Sequence, residues 1–356
     1  MHIKGNSNTE LPEHHNSGVV MNKLLNAVAC GLACVGIISA VPITASAAPK
    51  VIKVTTHSSM AASLGRSLVE MKQFIEEKTD GRYRMDIYDQ FKLGTMEEAY
   101  QGMGFGTVQM LVEGPSNIGT FMPELSMFDL GFLFPNSEVA DKVLSGPLGQ
   151  KICAAAANKA VTPLAFVRYS FRNPFIKGDI NSLDDLNSLK IRASSSPMHM
   201  AMLKSMGMNP VPMPGSEVFT GLQQGVIDGF DVDFPFGFTS KWYEAATSVA
   251  KIDHTYCPQI LYVSTKWWNG LPAEDKSIFE EAVQVFVKAQ ERNQLEDEAQ
   301  AEEAFKKAGI KVYVPTEEEL TRMKQQSADL YKQFPKINVE LLNELKAEVA
   351  RVSSAQ

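Results

Sequence analysis

From Val51 onward, β-branched runs alternate with segments of helical period, and this alternation restricts the fold more than any other feature. VIKVTTHSS, residues 51–59, has the composition of a strand. Ala62, Leu64, Leu68, Met71, Phe74 and Ile75 then recur at helical spacing across residues 60–78, and TDG closes that helix at Gly81. RYRMDIYD reads as a second strand, TMEEAYQGMGFG as a helix, and VQMLVE as a third strand that stops at Glu113. Such an order predicts a mainly parallel sheet covered by helices on both faces. With 356 residues, 44% of them hydrophobic and 21% charged, the chain is long enough for two domains with cores of their own.

The second half repeats the style. PLAFVRYSF reads as a strand, NSLDDLNSL as a short helix with Ser182 and Asp185 spaced as a capping box, and KIRA as a strand. Ser196 is placed as N-cap and Pro197 as first residue of a helix that Gly207 ends, NPVPMP is extended, and GSEVFTGLQQG is a helix with Ser216 as N-cap and Gly225 beyond its end. VIDGFDVD returns to extended structure. Residues 272–309 carry a helical apolar spacing long enough for one helix of ~45 Å, or for two in succession, which should bridge both domains.

The beginning has another character. Met21 and Lys23 open an apolar run from Leu24 to about Ile43, followed by Ala45-Ser46-Ala47 before Ala48. A basic start, an apolar run and small residues before a cut describe a secretory signal cleaved after Ala47, hence an exported, periplasmic mature chain. An uncleaved membrane anchor is the rival, disfavoured by Pro42. Residues 1–20 look like no part of a signal, so either Met1 or Met21 is the true start. Cys30 and Cys34 fall inside this leader, which leaves Cys153 and Cys257 for one disulfide or two buried thiols. The net charge of −7 is unchanged by removal of residues 1–47, because Lys4 and Lys23 balance Glu10 and Glu13. An acidic chain without a basic run excludes nucleic acid as an expected partner.

Arg192 ends the KIRA run and is followed by Ser194, Ser195, Ser196 and the helix beginning at Pro197. Free backbone donors at a helix start and a planar guanidinium together suit a carboxylate, although a surface charge explains the local pattern equally well. Arg172, twenty residues earlier, is read in a polar turn after an apolar strand, where it could reach the same crevice or stay solvated, as could Arg168. Asp228, Asp231 and Asp233 could ligate a hard cation but lack the spacing of a calcium loop, so capping or bonds to substrate hydroxyls are expected and no metal is. Phe230, Phe234, Phe236 and Phe238 alternate around them, as core or as a wall facing a ligand.

Motifs of catalysis are missing. His57, His199 and His254 are scattered, no H-E-x-x-H, G-x-S-x-G or P-loop occurs, and GMGFG has the wrong glycine spacing for a dinucleotide. No cofactor and no enzymatic activity are expected.

The order of these features resembles the extracytoplasmic solute-binding proteins of tripartite ATP-independent periplasmic (TRAP) transporters, the DctP-like family. The segment INSLDDLNSLKIRASSSPMHMAMLKSMGMNPVPMPGSEVFTGLQQGVIDGFD carries most of the resemblance. FIEEKTDGRYRMDIY, KLGTMEEAYQGMGFGTVQM, KWYEAA and LYVSTKWWNGLP add to it across about Val51 to Phe334.

The resemblance implies a two-domain α/β periplasmic-binding-protein-like fold with hinge strands and a long bridging helix. Its expected parts are residues 48–169 plus 258–297 and residues 170–257 plus 298–356, with the ligand cleft between them. It places Arg192 at the position that pairs with a substrate carboxylate, Arg172 at an assisting position, and Glu113, His57 and Ser58 at positions facing the cleft. Where many members read D-G-x-E-N-P this chain has DGFDVDFP, so Asp231 holds the acid position and Val232 replaces a ligand-bonding asparagine, leaving Asp233, Phe230 or other aromatics to read the far end of the ligand.

The implied function is capture of a small organic anion by domain closure and delivery to TRAP permease subunits. The ligand could be a sugar acid, hydroxy acid, dicarboxylate or aromatic acid, and a monomer is expected. A ligand-sensing protein addressing a sensor kinase is an alternative on the same fold. A secreted enzyme using Cys257 or His254 is the alternative from another class.

Overall fold

The computed structural model describes residues 48–355. The leader, its cleavage site, Cys30 and Cys34 lie outside the described residues, and no described helix is long and apolar enough to cross a membrane.

Ten strands form one sheet: β1 (Lys50–Thr56), β2 (Tyr83–Tyr88), β3 (Met110–Glu113), β4 (Val161–Ile176), β5 (Lys190–Ala193), β6 (Asn209–Pro212), β7 (Gly229–Asp233), β8 (Ser248–Ala250), β9 (Thr255–Ser264) and β10 (Lys311–Tyr313). The order is β2-β1-β3-β9-β4-β7-β5-β6, with β8 joining β4 to β10. β1 pairs in parallel with β2 and β3, and β5 pairs in parallel with β6 and β7, as alternating strands and helices require. Between these two parallel sets run the long antiparallel strands β4 and β9, shared by both halves.

Registers show how the halves meet. Glu113, the last residue of β3, lies opposite Ile260, which lies opposite Phe166; Asp233, the last residue of β7, lies opposite Arg172. The two parallel sets therefore point their C-terminal ends at each other along β4, with only the stretch between Phe166 and Arg172 separating them. β4 changes register against β9 within that stretch, between Val167 and Ser170. Open α/β sheets bind ligands beyond the C-terminal ends of their strands, and here two such sets of ends face each other.

One apolar cluster, which includes Leu111, Ile118, Ile191 and Met202, runs through both halves, and two others are confined to one side each. Ile52, Val54, Met110 and Val112 meet Leu64, Leu68 and Met71 of helix Ser63–Lys78 and Phe279, Ala282 and Phe286 of the long helix. On the other side Phe230 and Val232 pack with Phe175, Trp242, Ala301 and Phe305, where each buried phenylalanine contributes ~1.5–3 kcal/mol. The segment 272–309 is one helix, Ala273–Ala308, long enough to pack its first half on one side and Phe305 on the other. It bridges the two domains as expected.

Local signals are mostly realised. Ser196 accepts from His199 N–H at 3.3 Å at the start of helix Pro197–Ser205, Thr95 and Glu98 form a capping box, and Ser182 with Asp185 forms another around a single 3-10 turn. Gly81, Gly207 and Gly225 have positive φ beyond their helix ends, which glycine adopts without a Cβ penalty. Three expectations need correction. Ser216 caps nothing: it lies within a 3-10 turn, Gly215–Glu217, because Pro214 sets the turn one residue early. Arg172 is not in a turn but inside β4, whose pairing with β7 carries the strand through Pro174. Arg168 is not solvated: it pairs with Asp141 and, at 3.6 Å, with Glu298.

Candidate functional site

The crevice is lined from four directions. The turn after β1 brings His57 and Ser58, the end of β3 brings Glu113, β4 brings Arg172, and the ends of β5 and β7 bring Arg192 and Asp233. Thus Arg192, Arg172, Glu113, His57 and Asp233, separate in sequence, converge where the two parallel sets meet, while Ser58, next to His57 in the chain, is buried with main-chain bonds to Thr56 Oγ1 and Gln90 N–H.

Arg192 leaves β5 on the face opposite Ile191 and Ala193, which are buried. Its Nε donates to the Met213 carbonyl at 3.0 Å, and its guanidinium carbon sits 5.4 Å from the centre of the Trp242 ring. Among the described residues no carboxylate lies within 4.0 Å of its guanidinium. Burial, followed by the like charge of Arg172, pushes its pKa down to about 10, so it remains a cation at neutral pH without a counter-ion.

Arg172 is better compensated. Only 8% exposed, it donates from Nη1 to the Asp231 carbonyl at 3.1 Å and from Nη2 to Ser116 Oγ and Cys257 Sγ, both at 3.4 Å. Burial alone would lower its pKa, but Cys257, Asp231, Asp129 and Asp233 together outweigh it and raise the value. Its Nε is buried and has no partner.

Asp231 does not open onto the crevice. It is fully buried, and its two carboxylate oxygens are taken by His199 Nε2 and His254 Nε2, each at 2.8 Å. Burial would push its carboxyl up, but His254 and His199 outweigh that and hold it well below the usual carboxylate range. With Nε2–H donating to Asp231, His199 Nδ1 accepts from Ser194 Oγ at 2.9 Å. Ser196 Oγ in turn donates to Asp129 at 2.6 Å, and Ser116 donates to the other oxygen of Asp129. One buried network therefore holds the β5 turn, β7 and Arg172 in register. It carries no local sequence signal, because its histidines lie 32 and 23 residues from Asp231.

Asp233 faces the crevice on the same side of β7. Its Oδ1 accepts from Phe236 N–H at 2.8 Å, capping helix Phe234–Thr239. Burial pushes its carboxyl up to about 6, against the lowering effects of the Phe236 bond and Arg172. Phe230 and Val232 lie on the opposite face of β7, in the apolar core. Asp228 accepts from Lys190 N–H at 2.8 Å, and no group of three or more His, Cys, Asp or Glu residues among the described ones could hold a metal ion.

On the other wall, His57 Nδ1 and Glu113 meet at 3.1 Å. Glu113 also accepts from Gly114 N–H at 2.8 Å and Asn117 Nδ2 at 2.9 Å. Aromatic rings frame the gap: His57 lies 5.4 Å from Phe236, 6.3 Å from Phe91 and 6.4 Å from Tyr169. Cys153 and Cys257 are free and buried, so the disulfide alternative is not realised. Burial pushes the Cys257 thiol up to about 11, and His254 bonds to Asp231 and Thr255, not to that sulfur. Neither is arranged as a nucleophile with its base.

Residues 55–337 match the DctP family, described as bacterial extracellular solute-binding protein, family 7. The 2,3-diketo-L-gulonate-binding periplasmic protein YiaO of Escherichia coli is 26% identical over 270 residues, covering 76% of this chain and 82% of that protein. Among solved structures, the sugar acid binding protein DctPAm from Advenella mimigardefordensis in complex with galactonate superposes with a TM-score of 0.81 at 25% identity, covering 85% of this chain and 99% of that one. A TRAP periplasmic solute binding protein from Haemophilus influenzae with bound L-gulonate gives 0.78 at 27% identity, covering 86% and 100%. These relatives are binding proteins and not enzymes.

Proposed function

This chain belongs to the bacterial extracellular solute-binding proteins of family 7, and on that premise we propose that it captures a sugar acid in the periplasm and delivers it to TRAP permease subunits. The observation that carries this reading is the Arg192 guanidinium, held beside Arg172 with no carboxylate partner among the described residues. A half-buried cation next to a like charge is a demand for an anion, and the planar fork matches a carboxylate. Desolvating both charges offsets much of their attraction, so the pair contributes specificity more than affinity.

Arg192 and Arg172 take the carboxylate; the second oxygen of Asp233 and the His57–Glu113 pair face the body of the ligand and suit its hydroxyls. Val232 and Phe230 support this wall from the core. Since these groups come from strand ends of both parallel sets, a ligand bridging them favours the closed arrangement, in which contacts from both domains exist together. The irregular stretch of β4 between Val167 and Ser170 suits a hinge.

A thermal-shift comparison tests the reading: galactonate, L-gulonate and 2,3-diketo-L-gulonate against galactitol and the corresponding amides. An acid at 100 times its Kd adds ~2.7 kcal/mol to the native state. The acids should raise the melting temperature and the neutral compounds should not; equal shifts from both would refute the carboxylate anchor.

A further inference from the structure

We propose that Trp242 is a positioning residue for the anion anchor, holding the Arg192 guanidinium as a preset fork before any ligand arrives. The proposal rests on the reading of Arg192 as that anchor. Arg192 is gripped on two sides only. One edge is tied by the Nε bond to the Met213 carbonyl at 3.0 Å, and Met213 is itself fixed to the end of β5 by its N–H bond to the Ala193 carbonyl at 3.3 Å. One face lies 5.4 Å from the centre of the Trp242 ring. The remaining edge, Nη1 and Nη2, has no carboxylate partner among the described residues.

A long arginine side chain without a counter-ion, near the positive Arg172, has both an entropic and an electrostatic reason to leave this place. The negative face of an indole supplies the attraction that keeps it, and does so without occupying the donors that a carboxylate needs. An acid in the same position would hold Arg192 as firmly but would compete with the ligand.

The ring is itself locked. Trp242 is buried, with Phe230 at 5.5 Å and Phe236 at 5.1 Å, both near perpendicular. Lys241, immediately before it, has φ 61°, in the left-handed region that a lysine enters only when its surroundings insist. That backbone turn starts the 3-10 segment Trp242–Ala245 and sets the indole under Arg192. Phe236 also touches His57, so Trp242 links the anchor to the opposite wall through one intervening ring.

Two measurements on the full mature chain separate this proposal from the reading beneath it. In ligand-free protein labelled with 15N on arginine, the Nε–H signal assigned by its loss in Arg192→Lys should be ring-current shifted and slow to exchange. It should stay so in Trp242→Phe and move to an ordinary, fast-exchanging position in Trp242→Leu. In calorimetric titration with galactonate, Trp242→Leu should raise Kd about tenfold and Trp242→Phe no more than about threefold. An unchanged Arg192 signal in Trp242→Leu overturns the proposal, as does equal loss of affinity in both variants, which marks a merely structural ring. If galactonate binds normally to Arg192→Ala, the anchor reading fails instead, and the arginine signal still decides whether Trp242 holds the side chain.

Discussion

His57 Nδ1, just past the end of β1, and Glu113 Oε1, on the last residue of the neighbouring parallel strand β3, meet at 3.1 Å. Both groups are buried, and burial disfavours both charges; their mutual attraction wins, raising the histidine above its ordinary 6.5 and lowering the glutamate below its ordinary 4.5. The stabilisation from His57 is complete below 6.5 and is lost as pH rises through its folded value; that from Glu113 is complete above 4.5 and is lost as pH falls through its folded value. The pair should therefore matter most at about pH 5 to 6. Urea unfolding of His57→Gln should show a deficit of ~1–2 kcal/mol there that shrinks by pH 9. A deficit independent of pH would mean that the ion pair does not form.

Asp233 titrates with the opposite consequence for its own charge. Its carboxyl is pushed up to about 6 by burial, so ionising it between its ordinary 3.8 and 6 costs the native state stability. Asp233→Asn keeps an oxygen to cap helix Phe234–Thr239 and removes the titration. The variant should gain on wild type, by ~2 kcal/mol, as pH is raised from about 4 to 7 in parallel denaturation series, while its affinity for a polyhydroxy acid falls. Parallel stability curves for the two proteins would contradict the placement of this carboxyl.

Removing the Asp231 carboxylate should be far more damaging to the fold than to any single contact. Asp231→Ala leaves two buried imidazole N–H groups without their acceptor and takes away the negative charge 3.9 Å from Arg172 Nη1, while the bond from Arg172 to the residue 231 carbonyl can remain. Loss of one partner in a buried charge network costs ~3–5 kcal/mol. Equilibrium unfolding should show that loss; a change under about 1 kcal/mol would mean the histidines find other partners.

How much of this was legible in the sequence follows the range of each interaction. Ser196 and Pro197, the Ser182–Asp185 box and the glycines beyond helix ends are local patterns and were readable as such, as was the helical period of residues 272–309, though not whether it makes one helix or two. Arg192 was readable as a guanidinium beside a helix start, since neighbours in sequence define it. Arg172 was misplaced because Pro174 looks like the end of a strand, whereas β4 continues by pairing Pro174 with Asp231 on β7. The triad of His199, Asp231 and His254, and the indole under Arg192, are products of the sheet order β9-β4-β7-β5, which brings together segments far apart in the chain. Two scattered histidines and a tryptophan in KWYEAA carry no periodic or spacing signal of that contact.

The two thiols should behave as buried hydrophobes. Burial pushes Cys153 up to about 12 and Cys257 to about 11, so almost no thiolate exists at neutral pH. Iodoacetamide should label neither cysteine in the native mature chain at pH 7.5 and both in urea, with identical mobility under reducing and non-reducing conditions. Rapid native labelling of Cys257 would show that the region behind Arg172 is open.

The most direct test is isothermal titration of wild type, Arg192→Ala and Arg192→Lys with galactonate, or with whichever acid the thermal-shift comparison ranks first. Far-ultraviolet dichroism and melting temperature serve as the check on folding. Binding should be lost or weakened at least a hundredfold in Arg192→Ala, equivalent to ~2.8 kcal/mol, and weakened about tenfold in Arg192→Lys, which keeps the charge but not the planar fork. An unchanged Kd in a well-folded Arg192→Ala would show that the anion is held elsewhere in the crevice.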